Sequence, residues 1–89
     1  MPIISSFYGI FIYFYYADNR KHHRPHIHVQ YGEFEVIVAI DEGDTLEGDI
    51  PRSKMKLVQA WIEIHKEELM FNWRLAVNGK KPNKIEPLR

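Results

Sequence analysis

The sequence predicts an α+β domain in which a three- or four-stranded, mainly antiparallel sheet is covered on one face by a long or kinked C-terminal helix, or by two helices. Three observations support this: β-branched and aromatic residues crowd residues 8–16, apolar and polar residues alternate around Gly32-Glu33, and apolar residues recur at three and four from Val58 to Ala76. A chain of 89 residues has room for one core. Residues 1–89 therefore read as a single domain, with the sheet over about 7–50, the helical part over about 52–78 and an extended polar tail over 80–89.

The run over 8–16 reads as a first, inner strand because its side chains are apolar on both faces. Asp18-Asn19-Arg20-Lys21 and Pro25 mark a loop, after which a second strand begins at His26. Gly32-Glu33 fits a two-residue hairpin turn with glycine at the first central position, where φ must be positive. That turn sets a register: Tyr31 faces Phe34, Val29 faces Val36 and Ile27 faces Val38 on an apolar side. Gln30 then faces Glu35, His28 faces Ile37 and His26 faces Ala39 on the other. Asp41-Glu42-Gly43-Asp44 is a second turn; with Leu46 opposite Ile40, Leu46 and Ile50 join the apolar side and Glu47 and Asp49 join the histidines.

Pro51 precedes the helical part and Gly79 closes it. Val58, Trp61, Ile62, His65, Leu69, Trp73 and Ala76 form one stripe that should cover the apolar sheet face, with Trp61 and Trp73 as core anchors. A second seam, Leu57, Ile64, Phe71 and Leu75, lies to one side. A straight helix of this length would span about 40 Å, more than a compact domain of this size. A kink near residues 65–67, or two helices, resolves the length, and the seam is then buried by the kink or meets another subunit.

Composition narrows the function. The formal charge is zero, so wholesale nucleic-acid binding has no electrostatic footprint, and RNA contact would need a local patch such as Arg20, Lys21 and Arg24. No cysteine is present, which excludes disulfides, thiol nucleophiles and cysteine zinc ligands. The N-terminus lacks signal-peptide features and the apolar run at 7–17 is too short to span a bilayer as a helix, so a cytoplasmic location without membrane insertion is expected.

Four of the five histidines fall within His22-His23-Arg24-Pro25-His26-Ile27-His28. Histidine titrates near neutral pH and ligates metals, so this cluster is the focus of any chemistry. His22, His26 and His28 are the possible ligands of a divalent ion such as zinc, with His23 an alternative third donor; local hydrogen bonding of the same histidines needs no metal. His26, His28, Glu47 and Asp49 are the candidate acid–base groups, with Arg20 and Arg24 to hold phosphate, the parts a metal-independent ribonuclease needs. Phe11, Tyr13 and Tyr15, on one face of the first strand, could stack bases or meet a protein. His65 reads as a packing residue.

Further residues taken together resemble a bacterial family known as domain of unknown function 4160. They are Ser6-Phe7-Tyr8-Gly9-Ile10, His22 with Pro25-His26-Ile27-His28-Val29, Tyr31-Gly32, and Leu46-Glu47-Gly48-Asp49-Ile50-Pro51. The likeness continues through Leu57-Val58, Trp61, His65, Glu68-Leu69, Asn72-Trp73 and Ile85-Glu86-Pro87-Leu88. Ile27 stands where the family often has phenylalanine. The resemblance implies a bacterial cytoplasmic protein without an established reaction, often encoded beside another small protein in toxin–antitoxin-like or regulatory pairs. The leading expectation is thus an interaction or regulatory module with a small partner encoded nearby and with homodimerisation through the helical seam or the aromatic strand. The alternative is a ribonuclease-like or metal-dependent hydrolase using His22, His26 and His28.

Overall fold

A computed structural model of the chain describes residues 2–17 and 23–89. Among them, strands β1 (Ile3–Phe7), β2 (Ile10–Tyr13), β3 (His26–Tyr31), β4 (Phe34–Ala39) and β5 (Thr45–Asp49) form one antiparallel sheet in sequential order. Two helices follow, α1 (Arg52–Ile64) and α2 (Lys66–Val77). The α+β class is as expected, but the sheet has five strands rather than three or four and starts at residue 3.

The additional strand comes from a turn inside the run whose composition predicts one strand. Tyr8 (φ 50°) and Gly9 (φ 79°) both adopt left-handed backbone conformations, the requirement of the type I′ hairpin turn. Tyrosine is an uncommon residue for the first of these positions, so the turn has a poor sequence signature. Folding there pairs Phe7 with Ile10 and Ser6 with Phe11. It also leaves β2 in the interior of the sheet, with β1 on one side and β3 on the other.

The β3–β4 hairpin matches the expected register at all six pairs, and Gly32 takes the positive φ of 57° that its turn needs. The β4–β5 pairing departs from it. Val38 pairs with Thr45 and Ile37 with Glu47, so Leu46 is an extra residue in a bulge rather than the partner of Ile40. Leu46 is half-buried outside the core cluster, whereas Ile50 belongs to it.

Ile10, Ile12, Ile27, Val29, Val36 and Val38 form the inner sheet face and pack with Val58, Trp61, Ile62, Leu69 and Ala76 of the helices. The helical part breaks at His65, whose φ of −111° and ψ of 23° leave the helical range. With a longest dimension of 32 Å, the domain could not hold a straight helix of about 40 Å. The break keeps the main stripe buried, while the second seam divides: Leu57 and Leu75 are half-buried, and Ile64 and Phe71 are exposed.

The C-terminal segment is extended, as expected, but it is not merely surface. Pro82 and Ile85 are buried. The Ile85 N–H donates to the Ile4 carbonyl on β1 (2.8 Å) and the Trp61 indole N–H donates to the Glu86 carbonyl (2.8 Å). The buried amide of Asn72 both donates to the Asn83 carbonyl and accepts from the Asn83 N–H, each at 2.9 Å. Asn72 and Trp61 thereby strap the tail over the β1 edge.

Candidate functional site: the outer sheet face

Directly paired residues of an antiparallel sheet point to the same side. The register therefore assembles two rows on the face away from the core: Tyr13, His28, Ile37 and Glu47, and beside it Phe11, Gln30, Glu35 and Asp49. His26, paired with Ala39, begins a third. The expected juxtaposition of His26 and His28 with Glu47 and Asp49 on one face is thus present, Glu47 sharing a row with His28 and Asp49 sharing the next with Glu35.

The histidines are not exposed, however. His26 and His28 are only 1% and 9% exposed. They belong to a small outer packing cluster in which the His28 ring stacks on Tyr13 (5.5 Å between centroids) and meets the Tyr15 edge at 4.4 Å. His26 lies 5.4 Å from the His28 ring and 4.8 Å from Trp73, so Trp73 serves the outer cluster as well as the inner core. This second cluster explains why β2 is apolar on both faces: Ile10 and Ile12 face the helices, and Tyr13 faces the histidines.

Polar groups hold the cluster in place. A carbonyl oxygen can only accept, so His26 Nδ1 carries a proton donated to the Arg24 carbonyl (2.8 Å). The Tyr13 hydroxyl, buried with its ring, donates to Glu35 Oε2 at 2.6 Å. Burial, and then the adjacent Glu35 carboxylate, push the Tyr13 phenol far above its ordinary range. Tyr13 is accordingly a protonated donor at all working pH values and not an open stacking platform. Phe11 and Tyr15 remain exposed, at 44% and 39%.

The arginine expected to bind phosphate has another engagement. Arg24 donates to both carboxylate oxygens of Asp44 (2.8 and 3.0 Å) and to Asp41 (2.7 Å), clipping the start of β3 to the β4–β5 turn. Hydrogen bonding to Arg24 holds both aspartates below the usual carboxylate range and raises the arginine's own pKa further. Arg20 and His22 lie outside the described residues. Of the histidine ligand set, His26 and His28 are therefore described, and His23 is exposed. No group of three His, Asp or Glu side chains among the described residues is placed to hold a metal ion.

A shallow cavity of about 330 Å³ opens on this face, lined by Tyr15, His28, Glu35, Ile37 and Glu47 together with the β5 backbone at Gly48. Its described lining contains carboxylates, a phenol and an imidazole but no lysine or arginine. Glu35 was not among the residues singled out from sequence. The hairpin register already placed it diagonally to His28, and its bond to Tyr13 makes it the central polar group of the face. Trp73 offered no such signal, because its helical spacing points only to the inner core.

Among the described residues no helix is long and apolar enough to cross a membrane. No curated protein and no solved structure matches the chain. The sequence profile of a family described as a domain of unknown function (DUF4160) matches residues 9–74, a span reaching from the β1–β2 turn to the last turn of α2 and including both strand histidines, Glu35, Trp61, Asn72 and Trp73. The chain belongs to the DUF4160 family.

Proposed function

We propose that this protein is an interaction module of a two-protein bacterial regulatory pair of the toxin–antitoxin kind, acting in the cytoplasm, and that the outer sheet face is its contact surface. The supporting observation is the construction of that face. A buried floor of Tyr13, His26 and His28 holds Tyr15 through ring contacts, with Phe11 on the same side beside exposed Ile3, Glu35, Glu47 and Asp49, while the helices pack chiefly on the opposite side and α2 reaches the floor through Trp73. Exposed aromatic residues on a rigid floor are the usual anchors of protein interfaces. The histidines in this reading are floor rather than reagents.

The hydrolase alternative requires groups that attract a phosphodiester or a metal-bound substrate. Arg24, the described arginine expected to hold phosphate, is instead occupied by two aspartates. Self-association belongs to the same reading through Ile64 and Phe71, the exposed members of the helical seam; sedimentation should show the dimer lost when both are replaced by serine.

The test is co-purification with the product of the adjacent gene. Replacing Phe11 and Tyr15 together by alanine should weaken that complex by at least about tenfold and leave the fold intact. Unchanged affinity would defeat the proposal, as would RNA cleavage by the wild type that disappears in His28→Ala.

A further inference from the structure

The β1 edge of the sheet holds a buried polar group that the fold leaves unsatisfied. The register shifts at Ile4, so Ile4 and Ser5 both turn to the inner side, Ile4 into the core cluster and Ser5 opposite Ile12. Ser5 is only 8% exposed, and its Oγ has no hydrogen-bond partner among the described residues. A buried hydroxyl without a partner costs stability, and an alanine there would carry no such cost. Ser5 lines a cavity of about 230 Å³ between β1 and the C-terminal tail, whose Lys84 and Pro87 form the other wall. Ser6, from the same cavity wall, contributes a second donor. Phe7 and Ile10 flank the two-residue Tyr8-Gly9 turn as a hydrogen-bonded pair, so one residue earlier the Ser6 main-chain N–H points away from β2 and out of the sheet edge. The tail's main-chain bond to β1 runs from the Ile85 N–H to the Ile4 carbonyl and does not use it. Lys84, exposed on the tail, adds an ammonium group.

We propose that this cleft binds a monocarboxylate carrying a short apolar chain. The carboxylate accepts from the Ser5 hydroxyl, the Ser6 N–H and the Lys84 ammonium, and the chain lies against Ile3 and Pro87. Bonds from such donors to an ionised oxygen are the stronger kind, and a ligand that fills them satisfies the Ser5 hydroxyl at the same time. A doubly charged phosphate would meet one cation and apolar walls, whereas a single carboxylate matches one ammonium and two neutral donors and brings apolar surface for the rest. The same chemistry is presented by a free short-chain acid and by the C-terminal residue of a peptide. The site lies at the β1 edge under the tail, and it does not depend on the outer face being an interface.

Ser5→Ala tests the inference because the free and bound states respond in opposite directions. The free chain should keep its melting temperature or gain about a degree, since an unsatisfied group is removed. Sodium butyrate, titrated into the full wild-type chain, should give saturable shifts in the amide resonances of residues 4–6 and 84–85, with a dissociation constant on the order of 1 to 10 mM. Ser5→Ala and, at an exposed position that leaves the fold intact, Lys84→Met should each weaken this binding about tenfold. Butylamine, with the same chain and the opposite charge, should leave these resonances unmoved. N-acetyl-leucine presents its carboxylate as a chain end does: tighter binding than butyrate assigns the cleft to a peptide C-terminus, and weaker binding assigns it to a free acid. The site is overturned by the lack of a saturable response to either acid up to about 50 mM, by an equal response to butylamine, or by butyrate binding that ignores both substitutions. A lower melting temperature in Ser5→Ala would mean that the hydroxyl is already paired in the free protein, and the inference would lose its ground.

Discussion

The two faces of the sheet are held by different physics. The inner face is a stack of Ile and Val rows under two helices, stabilised by apolar area removed from water, a force without direction. The outer face is an aromatic and imidazole cluster whose members are positioned by directed bonds: Tyr13 to Glu35, and His26 to the Arg24 carbonyl. A volume-conserving change on the inner side can be absorbed by repacking. On the outer side, loss of one hydrogen bond leaves a specific group misplaced, so small changes should alter binding more than stability.

The largest test of this contrast is Trp61→Ala. It removes a fully buried indole from the inner core and with it the bond to Glu86 that straps the tail. A loss of about 3–5 kcal/mol is expected in chemical denaturation. A loss below about 1 kcal/mol would show that the inner core does not dominate.

Gly48→Ala comes next, with an expected cost of roughly 2 kcal/mol or more. Gly48 has a φ of 78°, and an added Cβ would run into the Glu35 carbonyl across the strand pair. The same change should disturb the cavity wall, so amide shifts should spread to residues 35 and 47. A neutral result would mean that β5 is free to move away from β4.

Tyr13→Phe should cost only about 1–2 kcal/mol, because the exposed carboxylate left behind can rehydrate. Its sharper effect should be on Glu35, which loses its anchor, so partner affinity should fall even though the protein stays folded. If affinity is unchanged, the outer cluster does not position Glu35.

The smallest effect belongs to the Arg24 clip, which is solvent-exposed and screened. Asp41 and Asp44 have folded-state pKa values below their ordinary 3.8. The clip's contribution is therefore fully present above about pH 4 and is lost as pH falls through those lowered values. Stability profiles of the wild type and Arg24→Met should diverge slightly above that pH and converge below it. Divergence that grows on acidification would contradict the assigned ion pair.

Some of this architecture is visible in the chain because it depends on neighbours in sequence. Alternation around Gly32-Glu33 determines the β3–β4 register, since a two-residue turn leaves one pairing and a slip by one residue would put Ile27 and Val29 in water. The three-and-four spacing from Val58 to Ala76 likewise determines the buried stripe, and its length relative to the domain implies the break near His65. Residues of the DUF4160 family's pattern were recognisable for the same reason: they stand in a fixed order along the chain.

Other features exist only through contacts between distant segments. The Tyr8-Gly9 turn overrides the apparent continuity of the first strand because the sheet stabilises a left-handed tyrosine that local preference disfavours. Burial of His26 and His28 depends on Trp73 from α2 and on Tyr15 beyond the end of β2, neither of which periodicity assigns to the outer face. The diversion of Arg24 from phosphate to Asp41 and Asp44 depends on the β4–β5 turn approaching the start of β3. Hydrophobic patterning encodes which side of an element is buried. Which polar group meets which across the fold is set by three-dimensional distance, and that was decided by the tertiary structure.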